Sequence, residues 1–390
     1  MPRTTMELTL TRSHNRQVFD AVAGAIVLAV GMGFGRFAFT GMYALMIHDG
    51  VFDVAGGSLA ASANYAGYLV GALLAGKMGD ARAIHAARFA TIATVVGLAL
   101  LAVPMPGALM ALVRFAAGVL SAVTMVSASM WLFHVIDFHE GSPILFAGVG
   151  TGIFMSAELI AAGQALGLHS TGVWCVLTVA AAILSMWVWR TLSGGATATP
   201  HSRSRAAPTQ PVGVGKPFSR PVLILVYGLA GFGYIVTATY LPLLVRHSLG
   251  SINPVHVWAA FGLGAVPSCF VWHKAYRALG DRKAMIANLV VQAIGVVLPV
   301  VFASPVAYFA SAALVGGTFM GTITIAMPSA RRIAHGARYN LISVMTAAFG
   351  VGQIAGPLVS SALFAHTHTF DASLSAAGIA LAIGAALSLV

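Results

Sequence analysis

The chain has 390 residues, of which 58% are hydrophobic and 8% charged, and its mean hydropathy is +0.89. A soluble domain carries roughly a quarter charged residues, so this composition excludes an ordinary water-facing surface and requires that much of the molecule face lipid. The formal net charge of +11 does not mark a nucleic-acid partner, because the basic residues fall in short loops between apolar runs.

A basic tail with Arg3, Arg12 and Arg16 precedes the first apolar run, which begins near Ala21. That run lacks a cleavage site and is too long for the h-region of a signal peptide, so it reads as a membrane helix. A bilayer core of ~30 Å needs about 20 apolar residues in a helix. Runs of that kind lie at about 20–47, 57–76, 85–104, 107–133, 142–167, 170–189, 221–245, 255–273, 284–303, 305–327, 340–365 and 372–390. Breakers sit at most boundaries: Pro104 and Pro106, Gly141 to Pro143, Pro254, and Ser304 with Pro305. The expected fold is therefore an all-α membrane protein of twelve transmembrane helices. Residues 191–220 are rich in Ser, Thr, Pro and Gly and carry Arg203, Arg205, Lys216 and Arg220. They cannot bury a core and read as a basic linker between an N-terminal bundle, 1–190, and a C-terminal bundle, 221–390.

Lys and Arg placement sets the orientation. With the N-terminus in the cytoplasm, 18 of the 21 basic residues fall in cytoplasmic segments and Arg246 alone in an outer loop. The expected arrangement is multi-pass, with both termini cytoplasmic, in a bacterial cytoplasmic membrane.

The two halves are alike at an offset near 200 residues. Gly33-Phe34-Gly35-Arg36 answers to Gly231-Phe232-Gly233-Tyr234, and Gly79-Asp80-Ala81-Arg82 to Gly280-Asp281-Arg282-Lys283. Ala111-Leu112-Val113 answers to Ala313-Leu314-Val315, and Gly148-Val149-Gly150 to Gly350-Val351-Gly352. Two pseudo-symmetric six-helix bundles would place a solute site between them, near mid-membrane.

These features resemble the major facilitator superfamily over essentially the whole chain. Gly76-Lys77-Met78-Gly79-Asp80-Ala81-Arg82 is similar to its loop motif after the second helix, without the usual following Gly and basic pair. Arg114-Phe115-Ala116-Ala117-Gly118 matches its Arg-x-x-x-Gly motif in the fourth, and Gly148 to Gly152 resembles its fifth-helix Gly motif without the Pro. Gly33-Phe34-Gly35-Arg36-Phe37-Ala38-Phe39 and Gly350-Val351-Gly352-Gln353-Ile354-Ala355-Gly356-Pro357 are similar to signatures of its YbfB/YjiJ-like branch. The resemblance implies a monomeric secondary transporter working by alternating access, with Asp80, Arg82 and Asp281 latching the halves in one state. It names no substrate.

Ionisable groups within the membrane are costly and mark function. Arg36, Arg114 and Glu158 lie roughly 16, 10 and 13 Å below the outer ends of their runs at 1.5 Å per residue, and read as one polar cluster. Arg keeps its proton, so Glu158, paired with Arg114, is the expected proton carrier. Two cations against one anion favour an anionic substrate. Arg36 shares a face with Gly33, Thr40 and Tyr43. Asn64 and Tyr68 share another, Tyr227, Tyr234 and Thr237 form a stripe, and Gln353 stands alone in its run. Substrate contacts are thus expected from Arg36, Tyr43, Asn64, Tyr68, Arg114, Tyr234 and Gln353, although each polar side chain could equally hydrogen-bond a neighbouring helix. The small-xxx-small pairs, such as Gly67 and Gly71 or Gly148 and Gly152, read as packing faces. His134, Asp137, His139 and Glu140 read as a solvated loop rather than a metal site, and Cys175 and Cys269 as packing residues. No nucleotide, redox or catalytic motif is present, so no cofactor and no enzymatic activity are expected. The partners are a small solute, protons and the bilayer. An uncoupled anion facilitator and a transporter-like sensor are the rival readings.

Overall fold

Without water in the bilayer core, every backbone polar group must be satisfied within its own segment, which forces each apolar run into a helix. The computed structural model describes residues 3–193, 216–245, 249–250, 252–333 and 341–390, with side chains from residue 14 to 190 and in the segments from 216 onward. Arg203, Arg205, Arg246, Arg338, the side chains of Arg3 and Arg12, and residues 194–215 of the expected linker lie outside the described residues.

Among the described residues, ten helices are long and apolar enough to cross a membrane. They are α1 (His14–His48), α2 (Val54–Ala75), α3 (Asp80–Leu101), α4 (Gly107–Val135), α5 (His139–Ala165), α6 (Ser170–Arg190), α7 (Arg220–Leu244), α8 (Val255–Val301), α9 (Pro305–Ile333) and α10 (Leu341–Thr367). A shorter apolar helix, α11 (Asp371–Leu387), follows. The sequence predicts helices at 255–273 and 284–303 with a loop between. Instead the polar stretch 274–283 stays helical, and the only break inside α8 is Gly280, at φ 79° and ψ 176°. A side chain rarely adopts that φ; glycine does so freely. The chain doubles back there. Gly264 and Gly295, one on each side of the break, both abut residues 313–315 of α9. Trp272 and Asn288 likewise donate to the neighbouring carbonyls of Gly317 and Thr318.

The helices are apolar on both faces, and size decides which face packs inward. On α3, Phe89, Ile92, Val96 and Leu100 stand exposed at helical spacing, while Ala87, Ala90, Thr91, Thr94 and Leu98 are buried. Thr91 and Thr94 return their hydroxyls to carbonyls one turn back, at 2.6 and 2.7 Å, so no polar group is stranded. Small residues let backbones meet, the usual basis of packing in lipid. A methyl group on Gly148 would overlap the carbonyl of Ala25, joining α5 to α1, and one on Gly67 would overlap that of Phe115, joining α2 to α4. Later in the chain, Gly352 meets Gly228, joining α10 to α7, and Gly316 meets Phe261, joining α9 to α8.

Contacts between residues 1–190 and the later segments run along α2 against α10 and α5 against α8. Toward the end of the molecule carrying Asp49, polar bonds reinforce them. Asn253 donates to Gln164 at 2.6 Å, Ser58 and the Tyr240 hydroxyl lie 2.6 Å apart, and Thr40 donates to the carbonyl of Ala238 at 2.7 Å. At the opposite end, Asp80 meets His134 and Asp281 accepts from Arg332, each at 2.9 Å. Both partners come from the same part of the chain, so among the described residues neither aspartate bridges the two parts. Arg82 is exposed.

Asp49 ties the loop after α1 to the start of α6. Its carboxylate accepts from the Ser170 backbone N–H at 2.6 Å and lies 3.3 Å from Nδ1 of both His48 and His169. Burial raises its pKa, but the bonds from Ser170, His48 and His169 outweigh that and hold it at about 2. A depressed carboxylate pKa stabilises the fold above the ordinary value near 4 and loses that contribution as pH falls toward 2. Asp49→Asn is therefore expected to cost about 1 kcal/mol at pH 7, allowing for solvent screening. The gap between variant and wild-type melting temperatures should close between pH 4 and pH 2. A gap that is constant over that range would show that the carboxylate charge contributes nothing.

Candidate substrate-binding site

The site begins with a local irregularity in α1. Residues Ala29–Phe37 are wound as a π-helix, wider than the α-helix on either side. Such turns are rare and concentrate at functional sites. Three glycines lie in it: Gly31 packs on Thr124 of α4, Gly33 on the backbone of Gly152 in α5, and Gly35 on Thr94 of α3. The wide turn therefore sits in contact with three helices and carries Arg36 in its last turn.

Arg114 of α4 holds this turn. Its two terminal nitrogens donate to the carbonyls of Gly35 at 3.2 Å and Arg36 at 3.1 Å. Its guanidinium lies over the Phe39 ring, 4.2 Å from the centroid. Behind it, Asn64 donates to the Arg114 carbonyl at 2.9 Å. Arg114 and Asn64, which the sequence reading expects to contact the solute, thus brace the helix that bears Arg36.

Arg36 itself is only 2% exposed. Its guanidinium lies over the Tyr68 ring, 3.9 Å from the centroid, with Tyr65 and Phe37 each at 5.2 Å. One terminal nitrogen donates to Gln353 of α10 at 3.1 Å, and Gln353 in turn donates to the Tyr234 hydroxyl of α7. Nε has no hydrogen-bond partner among the described residues. Nor does any carboxylate among them form an ion pair with Arg36 or Arg114. Four of the expected contact residues, Arg36, Tyr68, Tyr234 and Gln353, are therefore brought together from four helices. Tyr43 is not among them: its hydroxyl donates to the Val54 carbonyl at 2.9 Å and its ring packs edge-on to Tyr240, toward the Asp49 end.

Glu158 does not pair with Arg114. Similar depth along two helices does not give a common direction, and Glu158 projects toward α8, where Oε1 lies 2.9 Å from Nδ1 of His256. Both side chains are 40% exposed. His256 and Tyr65 escape the sequence reading. Tyr65 sits three residues before Tyr68, so helical spacing alone could have found it. Nothing in the sequence points from Glu158 to His256.

The buried cation, the π-turn and the long apolar helices coincide with a sequence match over residues 28–389 to a family profile described as uncharacterised MFS-type transporter YbfB. The chain belongs to this family. No curated protein sequence matches it. The resemblance to the YbfB branch of the major facilitator superfamily is thus established along nearly the whole chain. The molecule is a membrane-spanning MFS-type transporter, and its family places it among transporters rather than enzymes.

Proposed function

We propose that this YbfB-type protein is a proton-coupled secondary transporter of a small organic anion, working by alternating access with Arg36 as the anion contact. One observation carries the reading: Arg36 is buried with no counter-ion among the described residues, and its Nε is unpartnered. A charge inside a membrane protein is normally paired or faces its ligand. A carboxylate can bridge two guanidinium nitrogens, a geometry that fits Arg better than Lys.

The packing supports two pseudo-symmetric six-helix bundles. The contact of α1 with α5 is repeated by α7 with α10, and that of α2 with α4 by α8 with α9. A straight 47-residue helix would span about 70 Å, over twice a bilayer core, so the limbs of α8 on either side of Gly280 count as two crossings and the total becomes twelve. The basic loops then lie in the cytoplasm of a bacterial cell and the Asp49 end faces out. The cross-chain bonds described toward that outer end fit a state closed to the outside, with Asp80 and Asp281 free to engage the other bundle in another state.

Glu158 and His256 lie on α5 and α8, at the crossing of the two bundles. Between them, imidazole and carboxylate can hold one proton or two. With one, they form a charged pair across the crossing; with a second on Glu158, the anion is gone and the clasp loosens. Proton uptake would in this way bias the alternation between states.

The purified protein in proteoliposomes should accumulate radiolabelled benzoate, used as a probe anion, when a proton gradient is imposed. Accumulation should collapse when the gradient is dissipated. Equilibration without accumulation would replace this reading by the uncoupled facilitator, and no flux of any monocarboxylate in a panel would remove the anion assignment.

A further inference from the structure

Arg36 fixes the charge of the solute but not its body. Beside Arg36 runs a continuous panel of aromatic rings contributed by several helices. Tyr227 stacks on Phe349 with centroids 4.6 Å apart, Phe349 on Tyr234 at 5.8 Å, and Tyr234 on Phe319 at 5.4 Å, with interplanar angles of 27°, 19° and 18°. Phe319 then meets Phe261 at 5.3 Å, and Phe261 stacks on Trp258 at 4.5 Å. Phe37, next to Arg36 in sequence, closes the series edge-on to Phe319 at 6.1 Å. The panel neighbours Arg36, which like Arg114 is buried with no carboxylate partner among the described residues.

The panel is joined to Arg36 through polar groups. Tyr234 lies in the middle of the panel, and its hydroxyl accepts from Gln353, which also accepts from Arg36. One turn beyond Tyr234 on α7, the Thr237 hydroxyl is buried and has no partner among the described residues. The indole N–H of Trp258, at the far end of the panel, is in the same condition. Buried polar groups are as a rule hydrogen-bonded. With Arg36 Nε, these are three buried donors without a partner among the described residues. A ligand that meets them carries acceptor oxygens and presents flat faces to the rings. Rings prefer offset or parallel partners at such separations, which a saturated ring of equal size cannot supply.

We infer that the transported anion is a planar aromatic carboxylate, its carboxylate on Arg36 and its ring against the Tyr234–Phe349–Phe319 panel. This rests on the anion assignment to Arg36 and adds the aromatic class. A cationic or neutral aromatic is disfavoured, since Arg36 and Arg114 would repel the first and offer the second no charge complement.

The test is direct binding to the full-length protein in nanodiscs, with benzoate, cyclohexanecarboxylate and benzyl alcohol as probes. Benzoate should bind at least fivefold more tightly than cyclohexanecarboxylate, and benzyl alcohol should not bind measurably. Phe349→Leu should abolish the preference for benzoate over cyclohexanecarboxylate. Equal affinity for the two carboxylates in the unmodified protein would overturn the aromatic assignment while leaving the anion assignment in place. Failure of both carboxylates to bind would overturn both assignments. The comparison between probes is made on the wild type, so it stands even if Phe349→Leu does not fold.

Discussion

Arg36→Lys is expected to leave the protein folded and inserted while weakening benzoate binding tenfold or more, a loss on the order of 1.4 kcal/mol. The two side chains carry the same charge and a long apolar stem, so the substitution does not remove the buried cation. It removes the plane. The guanidinium lies over Tyr68 at 3.9 Å, donates to Gln353 at 3.1 Å, and has no partner for Nε among the described residues. An ammonium group offers donors radiating from a single atom and cannot stack, donate sideways and present two parallel N–H groups together. Arg114 cannot substitute, because its terminal nitrogens already donate to the carbonyls of Gly35 and Arg36. Binding to detergent-solubilised protein and the melting temperature should be measured side by side. A large fall in melting temperature, or unchanged binding, would identify Arg36 as a packing element and remove the main support for the anion reading.

Much of the fold is legible in the sequence because the bilayer reduces the problem to length and polarity. Runs predicted at 142–167, 170–189 and 221–245 correspond to α5, α6 and α7 to within a few residues. At 274–283 the expected break between two helices is present but narrower than the charged residues suggest. Water-level residues can remain helical, and one glycine at positive φ is enough to turn the chain. Half of the site is legible for a related reason. Tyr68, Tyr234 and Gln353 are polar groups in apolar runs, and they converge on Arg36. What cannot be read is direction around a helix axis. Arg114 and Glu158 sit at comparable depth, yet one turns to the carbonyls of the π-turn and the other to His256. The π-turn itself is built from glycines whose purpose becomes visible only once Thr124, Gly152 and Thr94 are seen against them. The aromatic panel is hidden for the same reason, since its rings come from separate helices and each alone reads as ordinary core.

Glu158→Gln should abolish proton-driven accumulation and spare exchange of benzoate across the proteoliposome membrane. Gln keeps the shape of the side chain and can still accept a hydrogen bond from His256 through its amide oxygen. It cannot take up a proton, so the carboxylate's share of proton uptake is lost and the alternation no longer responds to the gradient. Binding at Arg36 is untouched, because Glu158 projects toward α8 and makes no contact with Arg114 or Arg36. His256→Gln should produce the same separation of accumulation from exchange, since it removes the other half of the proton site. The nearby bond between Asn253 and Gln164, 2.6 Å long, ties the same two elements without a titratable group. Asn253→Ala should therefore alter the rate of exchange while leaving accumulation coupled to the proton gradient. The deciding quantity is the steady-state ratio of internal to external benzoate at a fixed pH difference. In the two proton-site variants that ratio should fall to one, and wild-type accumulation in Glu158→Gln would exclude this carboxylate from coupling.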